Sequence, residues 1–586
     1  MQGTKRRERE NRPCDQCREN RCRCDRDAAK KRCLSCEEQN RECTFLRGPM
    51  PRKIKNDQTS PIGAQPSTSK LASPVRPKGR AGSSLDKSLG LRLHLHSEYI
   101  GPSSYHEPSL LELKPSASHP PAKHDCRLRQ FGGSTAFMIH TNEDSAFEVQ
   151  RIAELDRIEA TVQPLGPTLV KLYFHIVHPT FPVLQKDAFL AKYARSYREI
   201  SPPLLAAVYL LALDWQLFDR ALSASKIPDV AVLENLAMRA MDDDLTRPKL
   251  STLQAGLLLL QRVGRTKNTL LAQLVALGHA LGIHVDCSDW AISKSEKGLR
   301  RRLAWTLYMQ DKWGVLVHGR PSLIPDRIAL NGDKSDDTDW DVRPCTMDDF
   351  PETSTNADDG SYGSVDVEIG RSSFLHSIEL TKIFSQIQYT FCSVGATRKG
   401  GRLDRLGAIG ITGLANPFAQ QLREWYIGLP DGLKLNTSSH VRRLSASGAL
   451  HLSHMAAELT LHRALLRALG PDTPPSLRFT IRAASRARLL SALSLVETLQ
   501  PEHTQSFWGF AASAQMAMIG SFAGLLWATS VAGDEAIEYA NVLERLRWAL
   551  QVRGSAVPFV REALRMIHEE IGDLGVFKDA TYTDLP

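Results

Sequence analysis

Cysteine, aromatic residues and long apolar runs are all sparse in this 586-residue chain, and each scarcity removes a class of protein. Only 11 residues are cysteine, and seven of them fall between Cys14 and Cys43; Cys126, Cys287, Cys345 and Cys392 are scattered over the rest. That skew argues against a secreted fold stapled by disulfides. Met1–Arg12 is charged throughout with no apolar stretch behind it, so no secretory leader is expected. The longest uncharged run, Ser506–Gly533, carries Gln515 and several Ser and Gly, with Glu502 and Asp534 flanking it. It reads as a helix buried inside a large domain rather than a membrane span, and the protein as soluble. Alternating β-branched runs are also scarce, which excludes an all-β body.

Net charge is almost absent outside the N-terminus. Residues 1–55 hold 17 Lys/Arg against 9 Asp/Glu, whereas the whole chain has a net charge of only +9. A basic, cysteine-dense head on a nearly neutral body suits a polyanionic partner better than a uniform enzyme fold. No G-x-S-x-G or phosphate-binding G-x-x-x-x-G-K-[ST] motif occurs, and no enzyme is expected.

Composition separates four regions. Residues 1–47 form the cysteine-rich head. Residues 48–92, rich in Pro, Ser, Lys and Gly, cannot bury enough surface to offset their ordering entropy and are expected to be a disordered linker; no heptad zipper survives their prolines. Residues 93–150 are transitional, with short strands or docking segments such as Glu98-Tyr99-Ile100. Residues 151–575 read as about eighteen helices. Among these are Leu204–Asp214, Thr252–Gln261, Leu270–Leu281 with Gly282 as a stop, Leu299–Leu316, Leu450–Leu469 and Ala484–Leu499. The fold class is therefore all-α: a small metal-bound head, a linker and a large helical domain. Asn331–Gly370 is acidic and aperiodic and reads as a long surface loop.

In the head, C-x2-C-x6-C occurs twice, 19 residues apart: Cys14, Cys17, Cys24, then Cys33, Cys36, Cys43. Three thiolates per half leave each tetrahedral zinc one ligand short. Six thiolates satisfy two Zn²⁺ ions if two of them bridge, and the internal symmetry assigns the bridges to Cys14 and Cys33. Disulfides are the alternative that the basic flanks disfavour.

This pattern resembles the fungal zinc binuclear cluster (Zn₂Cys₆) transcription factors. The resemblance implies a nuclear DNA-binding module that sets a helix end in the major groove over a CGG-type triplet. Arg18, Arg21 and Arg23 lie between Cys17 and Cys24, whereas Glu37, Glu38 and Glu42 dominate the second half, so the first half is expected to face DNA. Arg21 stands where the family commonly has a base-contacting lysine, and a guanidinium can grip guanine O6 and N7 with two bonds. Arg18 and Arg23 would hold phosphates. Glu19 and Asn20 interrupt the usual basic run, Cys22 adds a seventh thiol read as packing, and Lys31-Arg32 replace the common proline. With no zipper, these departures predict weak DNA binding alone and action beside another DNA-bound factor or coactivator; homo- and heterodimers both stay open. Lys5–Arg7 and Arg52–Lys55 fit nuclear import.

The body resembles the fungal-specific transcription factor domain through Tyr173–Leu184 (YFHIVHPTFPVL), Leu277–Asp286, Arg300–Lys312 and Gly319-Arg320-Pro321. Within that family it looks most like the TamA-type regulators of nitrogen catabolism (GABA and urea/allantoin), through Ser201–Tyr209, Arg247–Thr252, Pro501-Glu502-His503 and Gln505–Trp508. This implies an activator of nitrogen-source genes, or a co-activator recruited through the helical domain.

Four other features have plainer readings. Arg300–Arg302 are expected to snorkel from a packed helix face. His454, Glu458 and His462, at i, i+4 and i+8 with His451 nearby, read as a solvated helix face. Gly407, Gly410 and Gly413 read as a loop, and His94-Leu95-His96 is a weak metal motif. The acidic segments around Trp340 and Phe350 read as a solvated loop, or as an activation segment.

Overall fold

The computed structural model describes Cys14, Asp15, Cys17, Cys33, Cys36, Cys43 and Thr44 near the N-terminus. It then describes residues 88–572 with interruptions, the longest at 108–125, 326–338, 351–365 and 436–443. Residues 48–87 of the expected linker, His94 and most of the acidic stretch between 331 and 370 lie outside the described residues. Ser88 and Leu89 at the linker's end are buried, and the Leu89 amide donates to Glu296 Oε1 at 3.2 Å, which corrects the disordered reading there. Contacts divide the chain into two units, Met1–Lys78 and Gly79–Pro586.

The larger unit is built from α-helices joined to one small sheet. Its central layer is helix Pro202–Leu213, every residue of which is buried. The reason is in the sequence: PPLLAAVYLLAL has no polar stripe to offer solvent, and its two prolines pre-set the first turn. It packs against Gly166–Ile176, Val230–Leu245, Leu250–Leu259 and Ser145–Val162. A second buried helix, Ala512–Ala528, comes from the uncharged run and packs against Ser447–Arg467, Gly533–Gly554 and Pro558–Ile571. No helix among the described residues is long and apolar enough to cross a membrane.

Far-apart segments close the core. Trp215 Nε1 donates to the Gln505 carbonyl at 2.7 Å, and Phe181 meets Phe507 with centroids 5.5 Å apart.

The transitional region does carry strands: β1 (Leu95–Ile100), β2 (Cys126–Phe131) and β3 (Thr135–Thr141), antiparallel in the order β1-β3-β2. Phe137 of the central strand meets Trp290 edge-on at 5.2 Å. Gly282, which ends helix Asn268–Ala280 as expected, has φ 63°, and a Cβ there would sit 2.8 Å from the Phe137 ring. Glycine is thus required twice, for the left-handed turn and for the approach of the sheet.

Helix Lys294–His318 departs most from its sequence reading. Arg300, Arg301 and Arg302 do not snorkel; they are 2%, 7% and 0% exposed. A helical stripe pattern records which positions are apolar but not whether a distant partner awaits a charged one. Here partners do. Arg300 Nε lies 3.4 Å from buried Glu296, one turn earlier, and its Nη1 donates to the Leu281 carbonyl at 3.0 Å. Arg301 donates to Asp349 Oδ1 at 2.7 Å and to Ser288 Oγ at 2.8 Å. Arg302 donates to the Asp349 and Leu184 carbonyls at 3.1 and 3.2 Å.

Asp349 belongs to the acidic segment, so the described part of that segment is docked. Trp340 and Phe350 are 8% and 6% exposed, which corrects both the solvated-loop and the activation-segment readings for these aromatics. Gly298 lets the segment in: a Cβ there would lie 2.5 Å from the Asp349 carbonyl oxygen. Gly407, Gly410 and Gly413 are not a loop. They lie in helix Arg402–Ile427, which bends at Gly407, where φ is 59°.

Removing one partner of a buried ion pair strands the other charge. Asp349→Ala is therefore expected to destabilise the protein by about 3–5 kcal/mol. The check is the urea midpoint of the full chain, with Glu199→Ala, which breaks a surface pair to Arg195, as a nearly silent control.

Candidate metal centre and the histidine helix

The described part of the N-terminal unit is a knot of sulfur. Cys14, Cys17, Cys33 and Cys36 are buried, and Cys43 is half-buried. Asp15, Cys17 and Cys36 are helical while Cys14 and Cys33 are not, as expected of a C-x2-C pair that opens a helix. The Cys17 amide donates to Cys14 Sγ at 3.4 Å. The Asp15 amide donates to the Thr44 carbonyl at 2.8 Å, tying the start of the first half to the end of the second.

The sulfurs of Cys14, Cys33, Cys36 and Cys43 all lie within 4.8 Å of one another and can hold a metal ion. Cys14 Sγ is 3.8 Å from Cys33 and 3.6 Å from Cys36, and Cys33 Sγ is also 3.6 Å from Cys17. A disulfide would bring sulfurs to about 2.05 Å, so these sulfurs are not joined in disulfides. Four thiolates around zinc at about 2.3 Å would place their sulfurs about 3.8 Å apart along each tetrahedral edge, which is the spacing seen here. Burial, then the neighbouring sulfurs, push the Cys36 thiol up to about 12. Thiols crowded this way release their protons when a cation takes the site, so metal and proton compete for it. Cys24, Arg18, Arg21 and Arg23 lie outside the described residues, as do Glu19, Asn20 and Cys22.

Among the described residues one other group is close enough to share an ion: His96, Glu98 and His140. His96 and His140 are paired across β1 and β3 and stack with centroids 4.7 Å apart. The sequence hid this because the second histidine lies in another strand.

The face of helix Ser447–Arg467 that carries His454, Glu458 and His462 is not solvated, which corrects the sequence reading. His451 and His454 are 5% and 6% exposed. Their Nε2 atoms lie 2.8 Å from the Leu433 carbonyl and 3.1 Å from the Leu422 carbonyl. A carbonyl only accepts, so each ring must donate there, and no lone pairs converge on a common point. His454 stacks on Trp425 at 5.3 Å, His462 Nδ1 is 3.3 Å from Ser485 Oγ, and Arg488 bonds Glu458 at 3.0 Å. This is a satisfied polar interior. The signal that could have shown it is Leu452, Met455, Leu459 and Leu461 interleaved among the histidines, which leaves no face free.

The body matches the fungal specific transcription factor domain over residues 170–425. The chain is 33% identical to the transcriptional activator protein DAL81 of Saccharomyces cerevisiae over 75% of its own length and 47% of that protein. It is 28% identical to an uncharacterized transcriptional regulatory protein of Schizosaccharomyces pombe, over 54% of this chain and 58% of that one. It is 23% identical to the acetamidase regulatory protein of Aspergillus fumigatus, over 53% and 36%. The chain thus spans about half the length of the curated relatives it matches. No solved structure matches it.

A converging thiol cluster joined to this helical domain is the composition of a fungal transcription regulator. The helical body carries a fungal specific transcription factor domain, and the relatives it matches are named as transcriptional activators or regulators. The family and these relatives are transcription factors, not enzymes.

The histidine helix generates a pH prediction. Burial, opposed by Glu458 and reinforced by Arg488, lowers His462 from 6.5 to about 4. Its unfolded form therefore binds a proton that the folded form refuses between those values, so stability is full above pH 6.5 and falls as pH drops towards 4. About 2 kcal/mol should be lost from this one group between pH 6.5 and about pH 5. Urea unfolding across that window should show a shallower pH slope for His462→Gln than for the parent.

Proposed function

We propose that the protein is a nuclear, sequence-specific DNA-binding regulator of RNA polymerase II transcription that depends on zinc and activates nitrogen-source utilisation genes. The observation that carries the reading is the sulfur spacing, 3.6–3.8 Å around Cys14 and Cys33. That spacing suits two Zn²⁺ ions held by Cys14, Cys17, Cys24, Cys33, Cys36 and Cys43, with Cys14 and Cys33 bridging. Bound zinc would keep the six thiolates deprotonated and fix the two short helices against one another. Arg21 then reads a guanine edge in a CGG-type triplet while Arg18 and Arg23 hold phosphates. The DNA-binding part is residues 1–47, the linker 48–92, and the regulatory part the helices from 151 onward. The nitrogen assignment draws on the resemblance to TamA-type regulators and on a relative named for regulating acetamidase, an amide-cleaving activity.

A second reading, a co-activator recruited by another DNA-bound factor through the helical domain, is favoured by Glu19 and Asn20 breaking the basic loop. Dimeric forms of either kind fit both readings.

Full-length protein purified under reducing conditions should contain two zinc atoms per chain, and chelation should abolish binding to a CGG-containing duplex; one metal atom or none sinks the cluster. Arg21→Ala should weaken that binding by about 1–3 kcal/mol. If Arg21→Ala leaves reporter output in cells intact, the co-activator reading replaces direct DNA recognition.

A further inference from the structure

The small sheet gathers three metal-ligating side chains on one of its faces. Side chains alternate along a strand, so the residues of β1 and β3 divide into two sets. Tyr99 and Phe137 are paired across the strands and lie against the helix stop at Gly282. His96, Glu98 and His140 belong to the opposite set, and one ligand atom from each lies within 4.8 Å of the other two. His96 and His140 are paired in register, their rings stacked and only 11° from parallel. His96, marked in the sequence by nothing stronger than His94-Leu95-His96, thus gains a second imidazole from a distant strand.

Packing alone does not account for the cluster. A stacked cross-strand pair supports a sheet without asking anything of its ring nitrogens. Yet His140 Nε2 is sealed from solvent and has no hydrogen-bond partner among the described residues. Buried polar atoms are rarely left so, and a bound ion is one of the few things that satisfies a ring nitrogen. The histidines of helix Ser447–Arg467 differ on this point, since His451 and His454 each spend Nε2 on a carbonyl. Glu98 is exposed, so its carboxylate can close over an ion from the solvent side. Two imidazoles and one carboxylate suit zinc and its first-row neighbours, whereas calcium and magnesium prefer oxygen throughout. An ion bonded at about 2.0–2.2 Å needs its ligand atoms about 3.4 Å apart. From a spread of 4.8 Å or less, rotation of Glu98 and a small splay of the two rings reach that spacing.

We propose that His96, Glu98 and His140 form a metal site separate from the cysteine cluster, which takes one divalent ion of the zinc type and clasps edge strand β1 to central strand β3. Water completes the coordination. β1 follows closely on the point where the Leu89 amide is bonded to Glu296, so the ion braces the entry of the chain into the larger unit. With three protein ligands and no thiolate, this site holds its ion less tightly than a four-sulfur site. It therefore fills last and follows the supply of metal. The inference does not depend on the cysteine cluster.

The test is a titration of tag-free full-length protein, under reducing conditions, with Co²⁺ standing in for Zn²⁺ and absorption as the readout. Ions on cysteine show sulfur-to-metal charge-transfer bands, whereas an ion on nitrogen and oxygen shows ligand-field bands alone. The two sites are therefore read apart whatever the cysteine cluster holds. One sulfur-free ion per chain is expected. His140→Gln should weaken its binding by at least about ten-fold, and Glu98→Gln, at an exposed position that folding tolerates, should weaken it as well. Amide-hydrogen exchange across Leu95–Ile100 should slow when the ion binds to the parent and stay unchanged in the variants. The proposal is overturned if no sulfur-free ion binds up to about 1 mM Co²⁺, if the ion binds both variants as well as the parent and is thus adventitious, or if its binding leaves exchange in β1 unaltered.

Discussion

Three consecutive arginines inside a helical core set the terms for the rest of the larger unit. A guanidinium does not give up its charge, so each one buried must be met by an anion or by carbonyl oxygens. Helix Lys294–His318 meets this demand by gathering pieces from across the chain: Glu296 from its own first turn, the Leu281 carbonyl from the preceding turn, Leu184 from the region after the first helices, and Asp349 from the far side of an acidic stretch. The positions of these segments follow from that requirement more than from apolar contact, which is non-directional and would tolerate many arrangements. A buried ionic network of this kind adds little net stability over a hydrophobic substitute; what it specifies is register.

How much of this was legible depended on how local the cause was. The cysteine spacing showed its meaning directly, because a C-x2-C pair opening a helix brings its sulfurs together by local geometry. Helices such as Pro202–Leu213 and Ala512–Ala528 were legible because composition alone excludes any solvent face, and Gly282 because a helix stop is a local event. The arginines were misread because their partners lie up to 118 residues away, and nothing in a seven-residue window reports them. His454 was misread for the same reason: its partners, the Leu422 carbonyl and the Trp425 ring, come from another helix. Three glycines at spacing three read as a loop because they look like a break, yet only Gly407 has a left-handed backbone and the helix runs on. In the sheet, β1 was glimpsed at Glu98-Tyr99-Ile100, but its partner strand holds no alternation strong enough to declare the pairing.

The two units use opposite economies. The N-terminal one has almost no apolar residues to bury, and its described interior is sulfur; a small fold of this kind needs a metal or cross-links to hold shape. The larger unit has an extensive apolar core and can place polar groups inside it, as the arginine helix and the buried histidines show. Polar interiors in such a core are costly unless satisfied.

The bond from Trp215 to the Gln505 carbonyl spans 290 residues. Helices made early in synthesis therefore leave apolar surface uncovered until the last third of the chain emerges from the ribosome. It follows that the stretch 170–425, though a recognisable unit of descent, does not contain its own core: excised alone, it would lack helices Ser145–Val162, Ser447–Arg467 and Ala512–Ala528, which pack against it.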